Sequence, residues 1–348
     1  MVWERLGSAS VSGSLANNSW KELGRTTLSG TNDSIDVSNF TAKDNLMILC
    51  NVINSGGDFR TFWRFNSDTG SNYSQRYNTN GGSDATNTSL NGTMDWNTAE
   101  SVQSFEVLNI TNITAQEKLG IKHKIGSNTA GAGNAPNRVE AVGKWANTSA
   151  QITSVSVGDG VDPKSGTGGI GSEVVVLGYD NDEADSGTNF WQELGSTELT
   201  SAGDDVTVSF TAKKYLMVES YMVGGSGNNF RNAWKLNGTS SGSTYAYRKS
   251  SNGGSDNTYT SRNLLEIGDQ DQAHDSYQKL FILNPSGREK LGIMEAVREE
   301  NDSNSEPSRT ECVFKWATTS GQITSITAHN DQSGNFGVGS YVKVYGAD

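Results

Sequence analysis

Glu117-Lys118-Leu119-Gly120-Ile121 returns in the same chain as Glu289-Lys290-Leu291-Gly292-Ile293, and this pair decides how the sequence is read. The agreement continues on both sides of it. Upstream, Phe40-Thr41-Ala42-Lys43 matches Phe210-Thr211-Ala212-Lys213, and Asn80-Gly81-Gly82-Ser83-Asp84 matches Asn252-Gly253-Gly254-Ser255-Asp256. Downstream, Lys144-Trp145-Ala146 with Gln151-Ile152-Thr153-Ser154 matches Lys315-Trp316-Ala317 with Gln322-Ile323-Thr324-Ser325, and Gly171-Ser172 matches Gly339-Ser340. A period of roughly 170 residues is that of a domain, not of a solenoid unit of about 20–50 residues. The expectation is an internal duplication, with an arm over 1–19, a first domain over 20–178, a linker over 179–189 and a second domain over 190–348.

The boundaries rest on local composition. Gly178 to Asn189 is polar and acidic and lacks any apolar period, which reads as a linker. Trp20-Lys21-Glu22-Leu23-Gly24 and Trp191-Gln192-Glu193-Leu194-Gly195 open the two copies, and Trp3-Glu4-Arg5-Leu6-Gly7 echoes both. Residues 1–19 therefore look like an opening strand without a domain. They are either an arm packed on the first domain or, through Trp3 and Leu6, an assembly arm that adds a strand to a neighbouring subunit's sheet edge.

Forty glycines against four prolines, with abundant Asn, Ser and Thr, favour strands and turns over helices. Val206-Thr207-Val208-Ser209-Phe210 and Tyr341-Val342-Lys343-Val344-Tyr345 alternate as half-buried strands do. Leu46-Met47-Ile48-Leu49-Cys50 and Glu173-Val174-Val175-Val176-Leu177 are continuous apolar runs and read as strands buried on both faces. Asn-Gly and Gly-Gly pairs between such segments are hairpin chemistry. The fold class predicted is all-β, two tandem antiparallel β-sandwiches of jelly-roll type.

Twenty-seven Lys and Arg against 39 Asp and Glu give a formal charge of −12 and a pI near 4.8, which repels phosphate backbones and argues against nucleic acid as a partner. No apolar run approaches the length of a membrane span, and Met1 to Gly7 shows no basic segment leading into an apolar one, so no signal peptide is visible. Cys50 falls opposite Ser220 and Cys312 opposite Ala141. A disulfide within a repeated domain would appear in both copies, so these read as buried thiols.

Catalytic signatures are sparse. His123, His274 and His329 are far apart, His123 falls opposite Glu295, and no zinc, Walker or nucleophile-elbow pattern is present. Asn66 to Asn72 and Asp180 to Glu183 space oxygen ligands closely, but the first loses its carboxylate in the second copy, so both read as solvated turns and no metal is expected. Neither a cofactor nor enzymatic activity is expected. The richest shared region carries Phe59-Arg60, Trp63, Asn66, Tyr73 and Arg76, and again Phe230-Arg231, Trp234, Asn237, Tyr245 and Arg248. Aromatic faces beside Arg, Asn and Asp suit a sugar, although the tryptophans sit in apolar neighbourhoods that favour core packing. Arg76, Asp84, Arg248 and Asp256 are the members expected at the surface, as candidate glycan-binding residues.

Arg64 to Tyr73, Asn80 to Asp84, Asn128 to Pro136, Gly143 to Ile152 and Ile170 to Gly178, with Phe40-Thr41-Ala42-Lys43, resemble a β-rich module of virion structural proteins, tail, fibre or capsid-associated, in tailed and other environmental viruses. The resemblance spans nearly all of the first copy; the second replaces the loop before Pro136 with the acidic stretch from Glu299 to Pro307. It implies a virion component made in the host cytoplasm, acting by self-assembly, with homo-oligomers and other virion proteins as partners and host-surface glycans as a further ligand class. The rival expectation is a tandem carbohydrate-binding, lectin-like protein whose two copies gain affinity by multivalency.

Overall fold

A computed structural model of the chain describes residues 20–57, 59–93, 100–159, 166–182, 188–224, 231–267, 274–299 and 306–348. The arm residues Trp3 and Leu6, and Phe230, lie outside the described residues. Among the described residues the chain is all β, without a helix, and its strands pair antiparallel.

The N-terminal half contributes β1 (Lys21–Thr27), β2 (Ser34–Val37), β3 (Asn45–Gly56), β4 (Thr61–Phe65), β5 (Tyr73–Thr79), β6 (Ala85–Leu90), β7 (Gln103–Thr111), β8 (Lys118–Ser127), β9 (Asn137–Trp145), β10 (Val155–Asp159), β11 (Thr167–Gly168) and β12 (Glu173–Tyr179). The C-terminal half contributes β13 (Gln192–Glu198), β14 (Asp205–Ser209), β15 (Tyr215–Met222), β16 (Asn232–Leu236), β17 (Tyr245–Ser251), β18 (Asn257–Arg262), β19 (Leu265–Glu266), β20 (Ser276–Leu283), β21 (Lys290–Arg298), β22 (Ser308–Trp316), β23 (Ser325–Asn330) and β24 (Tyr341–Ala347).

Each half has one large and one small sheet. The large sheets run β1-β12-β3-β7-β8-β9-β5-β6, with β11 beside β3, and β13-β24-β15-β20-β21-β22-β17-β18; the small ones run β2-β10-β4 and β14-β23-β16-β19. In the N-terminal half, Ile35, Val37, Trp63, Phe65, Val155 and Val157 from the small sheet meet Leu46, Ile48, Cys50, Leu108, Val174 and Val176 from the large one. The C-terminal half builds its core the same way, around Trp234, Tyr245, Phe314 and Trp316. The alternation expected of Val206 and Val208 holds, both pointing into that core while Thr207 faces out.

A third apolar layer lies between the halves. The odd-numbered side of β3, Met47 and Leu49, turns away from its own core and packs with Phe105, Val107, Ile125, Val175 and Leu177 against Tyr215, Leu283, Leu291, Ile293 and Val313. β3 and β12 are thus covered on both faces, which is why their sequences do not alternate. The ends of the expected linker are pinned: Tyr179 pairs with Asn45 at the end of β12, Asp180 accepts from Lys43 Nζ at 2.9 Å, and Phe190 N donates to Trp20 O at 2.6 Å.

The Asn-Gly pairs turn the β5–β6 and β17–β18 hairpins with positive φ at both central residues, 54° and 70° at Asn80 and Gly81 and 53° and 71° at Asn252 and Gly253. Gly81 has a second duty. A Cβ there would stand 2.5 Å from Asp256 N, so glycine lets the two hairpin turns meet across the halves.

Candidate functional site

The outer face of the N-terminal large sheet carries both the contact with the other half and an open groove. Along the strand direction that face divides into a covered end and an open end.

At the covered end a charged rim surrounds the apolar layer. Arg138 in β9 donates to Asp256 Oδ1 at 2.6 Å, lies 3.3 Å from Glu311, and is bonded to Glu140 beside it. The Arg138 side chain is 5% exposed and that of Asp256 1%. Burial, with the neighbouring Glu140 adding to it, pushes the Glu311 carboxyl above its usual range. Farther along, Glu173 in β12 takes hydrogen bonds from Tyr215 Oη at 2.8 Å and from Thr27, with Lys214 Nζ at 2.9 Å. Burial works against that carboxylate, but these donors together hold it below its usual range. The segment after β8 is gripped by the other half: Glu289 accepts from Gly131 N, Lys315 Nζ donates to Thr129 O at 2.6 Å, and Ser261 N donates to Ala132 O.

His123 and Glu295, read as counterparts in sequence, meet at the middle of this face at 2.9 Å. Burial disfavours the imidazolium, but the hydrogen bond and charge of Glu295 outweigh it and raise the His123 pKa above 6.5. A raised histidine stabilises the fold fully below its unfolded pKa and loses that contribution as pH rises through the folded one. We therefore expect wild-type unfolding free energy to fall by a few tenths to about 1 kcal/mol from about pH 6 to about pH 8, and His123→Gln to flatten that part of the curve. An unchanged slope in the variant would place the titration elsewhere.

At the open end Leu119, Ile121 and Val142 face solvent across β8 and β9. They floor a groove of about 720 Å³ whose walls include Trp20, Tyr179, Arg76 and Lys144. Trp20 and Tyr179 close one side edge to face, with ring centroids 4.8 Å apart.

The four candidates from sequence separate into two pairs. Arg76 and Asp84 form an exposed ion pair at 3.4 Å, with Arg76 on the groove. Arg248 and Asp256, expected at the surface, are instead drawn into the contact between halves. Arg248 is half-buried and donates to Pro136 O at 2.9 Å, and Asp256 is the partner of Arg138. The physical reason is cover: the same hairpin is open in one half and capped in the other. The aromatic platform imagined for a sugar is also unavailable, since Trp63, Tyr73, Trp234 and Tyr245 are core residues. Asp68, in the oxygen-rich turn, spends its carboxylate on Trp145 Nε1, Gly70 N and Asn72 Nδ2.

One polar cluster escaped the sequence reading. Inside the N-terminal sandwich Glu106 accepts from Trp63 Nε1 at 3.1 Å and from Thr61, with Lys122 and Lys124 Nζ each 3.8 Å away and every member at 0% exposure. At the corresponding places the other half has Gln278, which accepts from Trp234 Nε1 at 2.9 Å, Met294 and Ala296. The lysines set two positive charges beside the carboxylate inside the buried core.

Among the described residues no group of three or more His, Cys, Asp or Glu could hold a metal, and no described helix is long and apolar enough to cross a membrane. No protein-family model matches the sequence, and no curated protein matches it.

Proposed function

We propose that this chain is a structural protein of a virion, a capsid, decoration or tail-fibre component, that acts by self-assembly and surface binding. In this reading the halves are two jelly-roll-like sandwiches of common origin, made in the host cytoplasm, with copies of the same chain and other virion proteins as partners. The single observation that carries it is the open end of the sheet. Leu119, Ile121 and Val142 form a contiguous apolar strip on the face whose other end is buried against a folded unit. Contiguous exposed apolar surface marks an interaction site. The tight charged contact between the halves supports the same reading, because it makes the chain a stiff building block. The expected result is a native mass, by light scattering on purified protein, of several times 37.2 kDa, with regular particles in negative-stain images. A single-chain mass at every concentration sinks the proposal.

A glycan-binding role is the second reading, favoured by the groove in which Arg76, Asn87, Asn109 and Lys144 stand around the aliphatic floor. It would have one such site per chain, since Arg248 and Asp256 are engaged elsewhere. Arg76→Ala would then abolish retention on a glycan array without altering native mass.

A further inference from the structure

The two halves use their corresponding faces in opposite ways. In the N-terminal half the end of the sheet carrying Phe105 and Ile125, opposite each other across β7 and β8, is buried at 1% and 0% exposure. Their counterparts across β20 and β21, Tyr277 and Val297, are 37% and 43% exposed. The other end of the sheet reverses the pattern. Leu291, Ile293 and Val313 are 0%, 4% and 2% exposed, while Leu119, Ile121 and Val142, at the same places in the repeated peptides, are 54%, 52% and 48% exposed. Each half leaves open the end that the other half buries.

Resting on the assembly reading above, we infer that the open end of the N-terminal half, Leu119, Ile121 and Val142, docks the open end of a second copy's C-terminal half, Tyr277 and Val297, so that copies join head to tail. The occupant is assigned to another molecule because, among the described residues, both open ends are uncovered together within one chain.

The polar rim fits the same partner. In the contact within the chain Asp256 binds Arg138 and Arg248 binds Pro136 O. The corresponding groups on the open ends are Asp84 and Arg76 on one side and Arg309 and Pro307 on the other. Docking in the same manner sets Asp84 against Arg309 and Arg76 against the Pro307 carbonyl. Asp84 now holds an exposed pair with Arg76 at 3.4 Å, and the exposed Arg309 reaches the largely covered Glu311 at 3.1 Å. Giving up the exposed Arg76–Asp84 pair costs little, and Glu311 keeps Arg138 at 3.3 Å when Arg309 turns to Asp84. A contact between two different surfaces does not close on itself, so it builds a ring where the rotation closes and a filament where it does not.

Ile121→Lys and Val297→Lys separate the possibilities. Both positions face solvent, so each variant is expected to keep the wild-type unfolding curve. Wild type is expected to gain mass with concentration, and each variant alone to stay at the mass of one chain, 37.2 kDa. An equimolar mixture is expected to stop at twice that mass, since each variant retains the surface the other lacks. A mixture that stays at one-chain mass overturns the inference, as does Val297→Lys assembling alone, which would mean that two grooves pair with each other. If wild type assembles and both variants assemble equally, the inference falls and the assembly reading stands. If wild type stays monomeric, both fall.

Discussion

Arg138→Met is expected to lower the unfolding free energy by about 3–5 kcal/mol at neutral pH, because it removes the guanidinium that pairs with three carboxylates at the seam and takes from the buried Asp256 its hydrogen-bonded ion-pair partner, while Glu311 keeps Arg309 at 3.1 Å. The apolar stem is roughly conserved in this change, so the loss isolates the charge. Asp256, Glu140 and Glu311 would remain crowded, with Glu311 already displaced upward by burial and by Glu140. A carboxyl whose folded pKa is raised binds protons more readily in the native state, so stability falls as pH climbs from its ordinary value of 4.5 through the folded one. Removing the guanidinium carries that window to higher pH. The deficit of Arg138→Met should therefore shrink when denaturant unfolding is repeated near pH 5. Asp256→Asn leaves Arg138 with two carboxylates and should cost less. A loss under about 1 kcal/mol at neutral pH, or one independent of pH, would mean that the Arg138 cluster adds little to what the apolar layer and the other polar contacts between the halves supply.

Much of the architecture was legible because its signals are local. The Asn80-Gly81 and Asn252-Gly253 turns need positive φ and obtain it. Trp63 and Trp234, in their apolar settings, are fully buried. Val206 and Val208 alternate as a half-buried strand must. The candidate site was less legible because its decisive feature is not local. Arg76 with Asp84 and Arg248 with Asp256 sit in nearly identical hairpins, and nothing in either stretch says which will be capped. The outcome depends on which end of the sheet the other half covers. Strand β8 was opaque for a different reason. In Ile121-Lys122-His123-Lys124-Ile125 alternation alone would turn the lysines to water. They point inward because Glu106 waits on β7, and the isoleucines take the outer face. A signal existed in the repeat: Glu106, Lys122 and Lys124 change together, to Gln278, Met294 and Ala296. Asn112 and Asn284 were readable in the same way, each bonding the backbone of Ile152 or Ile323 in both directions.

That concerted change supplies the second large effect. Glu106→Gln preserves an acceptor for Trp63 Nε1, as Gln278 does for Trp234, while it removes the charge and puts an amide donor where Thr61 and Lys124 face an oxygen. It leaves two ammonium groups in a core at 0% exposure, and the expected loss is about 3–5 kcal/mol in denaturant unfolding. Adding Lys122→Met and Lys124→Ala to Glu106→Gln reproduces the other half's solution and should return stability to within about 1 kcal/mol of wild type, or above it, because an uncharged replacement no longer desolvates ions. The triple variant tests more than the single one. If the cluster serves only to keep its own charges neutral, removing all three charges is nearly silent, while removing one is severe. If instead the triple variant is as damaged as Glu106→Gln, the lysine stems must be filling space that Met and Ala cannot fill. The two sandwiches would then differ in packing as well as in charge, and the repeat would be a poorer guide to interchangeable cores than the matched tryptophans suggest.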